Sequence, residues 1–454
     1  MKCKNNSMEN RRKSAWKGIV LGSLLVLVSI SCAEPKAPQP IQNDEIANVI
    51  SQMTDIMIHD VTNPPLAAKF FAYASLAGME ALSYQEDSLS LLSQKINGYS
   101  ATVNKIKQPE KYEHRISAVF AMLHTAKKMQ PSGSLLEVYE DEFAKRCLAL
   151  GFDQKIIDQS KAFGIEVSGE ILKYAATDNY NKTSGFPKYT PLAAEGSWYP
   201  TPPGFFAPVE PYFNTLRPFF LDSASQFKPI SPARFSTDKN SPFYKMMEEV
   251  YQVELTEEKK LVAAFWDCNP FALEENGHLM IGMKKISPGA HWMGIGNIAC
   301  KVNQVGFDKA MEINGVLAMS LHDAFMGCWD EKYRSNRIRP ETIIRKLIDP
   351  NYKPLLQTPP FPEYLSGHSV VSTASAVVLT HYFGENFAYT DTVEVKFGLP
   401  TRDFEGFHQA AEEAAISRLY GGIHFMDAIT EGQKQGREIG SWTIDKLFSP
   451  LSKN

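Results

Sequence analysis

Two histidines and three cations in the last third of this 454-residue chain stand at spacings that could hold an oxyanion. In "KYRSNRIRP", Lys332 is followed after six residues by Arg339 and Pro340. The proline biases Arg339 away from helical geometry, so a helix closing at Lys332 bends before "PETIIRKLI" starts another. Such a kinked basic segment can aim two cations at one point. In "FPEYLSGHSVV", Ser366 offers a hydroxyl and Gly367 lets the backbone approach a ligand. The N–H groups opening the next helix then make an anion seat, with His368 at its edge to give or take a proton. In "SRLYGGIHFMDAITEG", Arg418 ends an Ala-rich run from His408, Gly421 and Gly422 break it, and His424 opens the next segment. The break lets Arg418 and His424 converge, whereas one unbroken helix would put them on different faces.

Singly, each residue has an ordinary explanation: Lys332 as a solvated cation, Ser366 as a helix cap, either histidine as a buried, hydrogen-bonded side chain. Jointly they form the set that grips a tetrahedral or trigonal-bipyramidal oxyanion. Arginine binds its oxygens in a fork, lysine adds a point charge, one histidine attacks or ligates the central atom, and the other handles protons.

Lys332-x6-Arg339-Pro340, Ser366-Gly367-His368 and Ser417-Arg418-x5-His424 resemble, in order and spacing, a known three-part signature. It is that of the superfamily joining type 2 phosphatidic acid phosphatases, bacterial acid phosphatases and vanadium-dependent haloperoxidases. "WYPTPPGF", "AFWDCNP", "HWMGIGNIA" and "CWDEKYRSNRIRP" also look like exported bacterial haloperoxidase-like proteins, so the likeness spans roughly residues 60 to 445. Two departures stand out. Leu365 replaces the usual Pro before Ser-Gly-His, which bears on loop rigidity and removes no ligand atom. The Asp often found four residues after the last His is here Ala428, which leaves Asp427, one residue early, as the candidate to orient His424.

The resemblance implies that Lys332, Arg339, Ser366, Gly367 and Arg418 hold the oxyanion. If the occupant is vanadate, the cofactor expected of a haloperoxidase, His424 is its nitrogen ligand. Lys332 then polarises peroxide, halide is oxidised to hypohalous acid, and His368 moves protons. If the occupant is a phosphate ester, no cofactor is needed: His424 forms a phosphohistidine and His368 protonates the leaving alcohol. "PPFPEYLSGH" resembles the haloperoxidase form, with Phe361 where the family lines a halide pocket. The long Pro- and aromatic-rich body leans the same way, so vanadate-dependent halide oxidation leads and an exported phosphomonoesterase comes second. A third reading keeps the scaffold as a surface lipoprotein that only binds, and the retained site residues argue against it.

These motifs need elements to carry them, and the apolar period supplies helices. Leu66, Phe70, Tyr73, Ala77 and Ala81 recur at helical steps after Pro64-Pro65. So do Ile116, Val119, Phe120 and Leu123, then Phe163, Val167, Ile171 and Tyr174, and Ile313, Leu317, Leu321, Phe325 and Cys328. Strand alternation is nearly absent, so the fold expected is all-α, and the resemblance makes it two packed helical bundles. Residues 196–235 are dense in proline and aromatics, which deny a regular helix and point to an ordered loop wrapping the helices. With 44% hydrophobic residues and a formal charge of −4, the chain can bury a large core and offers no basic field to nucleic acid.

The first 31 residues differ in kind: a basic stretch, then "GIVLGSLLVLVSIS", too short for a comfortable span, then Cys32. This resembles a lipoprotein signal with Cys32 acylated, although Ser29 stands where Leu is usual. The expected organisation is a signal over 1–31, a tether over 32–45, a helical region over 46–195, the Pro/aromatic segment over 196–254 and a catalytic region over 255–454. The protein would be exported and membrane-anchored. Cys147, Cys268, Cys300 and Cys328 lack paired metal-ligand spacing and read as small core residues, in a compartment that would permit disulfides. Small-molecule substrates and a lipid anchor are the partners expected, and oligomeric state is left open.

Overall fold

A computed structural model describes residues 37–449, apart from 86–88, 90–91, 101, 203, 272, 277–278 and 283–284. The signal segment, Cys32 and the start of the tether lie outside the described residues. Pro38–Asn454 makes one compact unit. Its first helices are α1 (Asp44–His59), α2 (Pro64–Leu82), α3 (His114–Met129), α4 (Leu136–Ala149), α5 (Gln154–Ala176) and the single turn α6 (Tyr180–Thr183). Asn63 caps α2 by accepting the Leu66 N–H at 3.0 Å, with Pro64 and Pro65 in the first turn. Nearly every α2 side chain is buried, as a helix apolar all round requires, and α3, α5 and the later helix Phe307–Ser335 pack against it.

After an irregular stretch come α7 (Pro242–Tyr251), α8 (Glu257–Phe265), a hairpin of β1 (Leu273–Asn276) and β2 (Leu279–Gly282), α9 (Pro288–Val302), α10 (Phe307–Ser335) and α11 (Pro340–Leu347). The chain closes with α12 (Gly367–Phe383), a hairpin of β3 (Tyr389–Asp391) and β4 (Arg402–Phe404), α13 (Phe407–Tyr420) and α14 (Met426–Phe448). α10 is buried along almost its whole length because it serves both bundles, meeting α2 on one side and α12 and α14 on the other.

Three local devices set the elements that carry the motifs. Asn336 ends α10 at φ 51°, a left-handed conformation that asparagine tolerates, and Arg339 is extended before Pro340 opens α11. Gly422 at φ +72° makes the turn between Arg418 and His424. Gly432, Gly436 and Gly440 line α14 where it meets α12. A Cβ at Gly436 would lie 2.3 Å from the Val370 carbonyl oxygen, so the two backbones touch. The Ser366 N–H donates to the Ala428 carbonyl at 3.0 Å, which ties the start of α12 to α14.

The Pro- and aromatic-rich segment is ordered and wraps the helices, with Trp198, Phe213, Phe219, Phe220 and Leu221 buried. Buried Asp323 on α10 holds it by accepting the N–H groups of Phe219, Phe220 and Leu221 at 2.8, 2.6 and 3.0 Å. Its last part, however, is the regular helix α7. The tether is shorter than expected: Gln39 donates its N–H to the Leu150 carbonyl at 2.9 Å, Ile41 is buried, and α1 begins at Asp44. Apolar Ile41 has a core to enter, which a composition reading of a Pro-rich stretch does not see. The two hairpins escaped the periodicity because strands of three or four residues are too short to alternate. Cys147, Cys268, Cys300 and Cys328 are all buried and free. Among the described residues no helix is long and apolar enough to cross a membrane.

The backbone contact at Gly436 yields a prediction. Gly436→Ala should lower unfolding free energy by about 1–3 kcal/mol in urea titrations, because a carbonyl oxygen cannot move aside as a side chain can. An unchanged midpoint would contradict the packing described.

Candidate active site

Lys332, in the last turn of α10, is fully buried and donates to the carbonyls of Pro362 at 3.0 Å and Glu363 at 3.1 Å, and to that of Leu365. Its ammonium also lies 4.9 Å from the Phe361 ring centroid. Arg339, fully buried at the start of α11, donates Nε to the Phe361 carbonyl at 2.8 Å and Nη1 to the Ile423 carbonyl at 3.0 Å. Nη1 also reaches His424 Nε2 at 3.2 Å, while Nη2 is buried without a partner. Arg418, near the end of α13, donates Nη2 to the Trp266 carbonyl at 2.6 Å and Nε to Ser417 Oγ at 2.9 Å.

These three cations gather around His424, and among the described residues no carboxylate lies against any of them. Burial holds the Lys332 ammonium down to about 7 and the Arg339 guanidinium to about 10, and it lowers Arg418 as well. An anion beside them would favour their charged forms.

Ser366 is the N-cap of α12, accepting the Ser369 N–H at 3.3 Å and the Ser369 hydroxyl at 2.8 Å. That leaves its own hydroxyl proton free to donate. Gly367 and His368 come next in the first turn, where backbone N–H groups have no intrahelical acceptor. A Cβ at Gly367 would come within 3.7 Å of the Trp329 ring. His368 Nε2 is buried without a partner. A cavity opens onto these groups, lined by Gly367, His368, Arg418 and His424 and walled by Phe361, Trp329, Phe325, Phe271 and Cys268.

Both histidines are neutral at ordinary pH. Burial first, then Arg339, Lys332 and Arg418, hold the His424 imidazole well below its usual range; burial, Arg418 and His424 do the same to His368. His424 Nδ1 lies 2.8 Å from Glu363 Oε1. Neutral imidazole beside an acceptor-only carboxylate carries its proton on Nδ1, so the Nε2 lone pair faces the cations.

Asp427 does not orient His424. As the second residue of α14 it faces Arg337, accepting Nη1 and Nη2 at 2.6 Å each, and takes the Ala233 N–H at 3.3 Å. Glu363 holds the place expected of it, accepting also the Phe425 N–H at 3.0 Å and Arg337 Nε at 2.6 Å. The order of contacts is therefore Asp427, Arg337, Glu363, His424. The signal for Glu363 was a lone carboxylate in the apolar "FPEYL", yet it lies 61 residues from its partner, out of reach of a spacing argument. Leu365 is fully buried and its carbonyl is one of the Lys332 acceptors, so the departure from Pro leaves the loop anchored.

Known proteins share this arrangement of helices. Residues 313–453 match the family model for the VCPO second helical-bundle domain. The solved structure of a bacterial vanadium-dependent iodoperoxidase is 42% identical, with a TM-score of 0.85 over 92% of this chain and 100% of that one. Holo and apo structures of a bacterial vanadium-dependent chloroperoxidase share the fold at 15% identity, with TM-scores of 0.61 and 0.60. They cover 85% and 84% of this chain and 93% of their own. No curated protein matches the chain.

The contacts around His424 and Lys332 each generate a prediction. Glu363→Gln should weaken binding of inorganic vanadate by about 10- to 100-fold in calorimetric titration, whereas Asp427→Asn, one contact further out, should change it by less than about threefold. Equal losses would contradict the order of contacts. The second concerns Lys332, mostly deprotonated at pH 8.5 because its buried ammonium titrates at about 7. An anion beside it favours the charged form, so binding inorganic phosphate at pH 8.5 should draw in a proton, read by calorimetry in buffers of different ionisation enthalpy. Proton release would contradict the assignment.

Proposed function

We infer that this chain, which belongs to the vanadium-dependent haloperoxidase family, oxidises iodide with hydrogen peroxide at a vanadate seated beside His424. One observation carries this reading: Arg339 meets the neutral imidazole nitrogen of His424, buried Lys332 and Arg418 act on it by their charge, and among the described residues no carboxylate is in contact with any of the three cations. Arg339 Nη2 and His368 Nε2, both buried without partners, are the polar atoms an oxyanion would satisfy. The residues present therefore fit vanadate.

In this reading Arg339, Arg418, the Ser366 hydroxyl and the N–H groups at the start of α12 hold the oxyanion oxygens. Lys332 joins them by trading one loop carbonyl for an oxyanion oxygen. His424 offers Nε2 to the central atom, and Glu363 fixes the tautomer that keeps this lone pair available. Bound vanadate supplies a Lewis-acid centre that activates peroxide for two-electron oxidation of halide, with the overall balance H2O2 + I− + H+ → HOI + H2O. His368, neutral and lining the cavity, takes a proton from incoming peroxide and returns one to departing water. Iodide as the preferred halide draws on the 42%-identical iodoperoxidase. It also draws on the wall: the Phe361 and Trp329 rings lie 5.0 Å apart, with Lys332 and Arg339 over the Phe361 face, an apolar lining suited to a large, weakly hydrated anion.

Residues 1–32 support a second proposal, that the chain is exported and tethered through an acylated Cys32. Intact mass of the mature protein should show acyl chains on Cys32, and a mature N-terminus elsewhere would refute it.

The direct test of the activity is a paired assay of vanadate-stripped protein. Peroxide-dependent iodide oxidation should appear on adding vanadate and fall at least about 100-fold in His424→Ala. No oxidation at any vanadate concentration, with hydrolysis of a phosphate ester instead, would turn the assignment to a phosphomonoesterase.

A further inference from the structure

Behind one wall of the cavity, outside the oxyanion set, a second group of ligand-type side chains meets. Cys268 lies just beyond α8, His291 lies in the first turn of α9, and Glu394 sits in the turn Val393–Phe397 beyond β3. Cys268 Sγ is 3.5 Å from His291 Nδ1, Nδ1 is 3.3 Å from Glu394 Oε1, and Sγ is 3.9 Å from the same oxygen. All three residues are buried.

We propose that Cys268, His291 and Glu394 bind a divalent transition-metal ion, with zinc the best fit, as a structural site of this protein. Zinc bonds of about 2.3 Å to sulfur and about 2.0–2.1 Å to nitrogen or oxygen, set tetrahedrally, put S···N and S···O at about 3.6 Å and N···O at about 3.3 Å. The observed triangle matches two of those edges closely and the third within a few tenths of an ångström. Thiolate, imidazole and carboxylate together favour zinc over magnesium or calcium, which take oxygen.

The outer contacts agree. His291 Nε2 lies 2.8 Å from Asp391 Oδ2, the arrangement in which a metal-binding histidine donates its other N–H to a carboxylate. Asp391 is itself held, accepting the Val393 N–H at 2.9 Å, and the imidazole stacks on Trp266 at 4.6 Å between centroids. With Nε2 donating to Asp391, the Nδ1 lone pair would face the carboxylate of Glu394. A cation between them removes that repulsion: a metal ion, or failing it a proton. Three protein ligands leave one position to a solvent oxygen, and Cys268 also lines the cavity, which gives an ion its way in.

The site has a structural consequence for the cavity. Trp266, two residues before Cys268, supplies the carbonyl that Arg418 Nη2 holds. A metal at Cys268 would pin that short segment to α9 and to the Glu394 turn, and so would position Arg418.

The test uses the full chain, stripped of metal by chelator dialysis and kept free of vanadate, so its outcome does not depend on the oxidation chemistry. Cobalt(II) titration should reach one ion per chain, with the visible bands of four-coordinate cobalt and a near-ultraviolet thiolate charge-transfer band, and zinc should displace it. Cys268→Ser should lose the charge-transfer band, and Asp391→Asn should keep the band while weakening zinc binding about 10- to 100-fold. Should Cys268→Ser fail to fold, X-ray absorption of the zinc-loaded wild-type chain decides: a sulfur neighbour at about 2.3 Å supports the site. Cys268, His291 and Glu394 form the only such cluster among the described residues, and the measurement is made with Cys3 and Cys32, which lie outside them, replaced by serine. No stoichiometric cobalt or zinc uptake, or a shell of nitrogen and oxygen alone, would overturn the proposal and leave the cluster as a proton-bridged hydrogen-bond network.

Discussion

Lys332, Arg339 and Arg418 are buried together with no carboxylate against them among the described residues, and much of the local structure answers the desolvation cost. Each cation is desolvated, and each is met by backbone carbonyls: Pro362, Glu363 and Leu365 for Lys332, Phe361 and Ile423 for Arg339, Trp266 for Arg418. The carbonyls come from two loops and from the end of α8 at Trp266. Cations and loops therefore hold one another: the loops have backbone acceptors to satisfy, and the charges have solvation to replace. What the carbonyls cannot supply is countercharge, and that residue of positive potential makes the cavity selective for an anion.

The helices keep the convergence in register. α10 carries Lys332 at its end, α13 carries Arg418, and α12 and α14 touch backbone to backbone through the α14 glycines, which brings the Ser366-Gly367-His368 turn against the chain leaving His424. Around the neutral nitrogen of His424, Glu363 and Arg337 form a second layer ending at Asp427, so the orientation of one imidazole depends on contacts among three segments. A metal held by Cys268, His291 and Glu394 would add a further clamp on the segment that holds Arg418.

Much of this was legible in residue order. The bend before Pro340, the seat at Ser366-Gly367 and the break at Gly421-Gly422 are local chemistry, and each stands where its punctuation places it. The helical period pointed to an all-α fold because four buried helices carry it cleanly, and the resemblance supplied the two bundles. What stayed hidden depends on contacts across sequence: Glu363 as the partner of His424, the carbonyls around Lys332, and the meeting of Cys268, His291 and Glu394 over 126 residues. Asp427 was named from a family pattern shifted by one residue, and a one-residue shift in the first turn of a helix turns a side chain toward a different neighbour, here Arg337.

The central claim is that the cation cluster and the lone pair of His424 Nε2 together form one oxyanion seat. A crystal structure of the full chain soaked in vanadate tests it most directly. Vanadium should be bonded to His424 Nε2, with its oxygens taking up Arg339 Nη2, Arg418 and the first turn of α12. Vanadium bonded through His368, or an anion held away from Arg339 while His424 stays unligated, would contradict it.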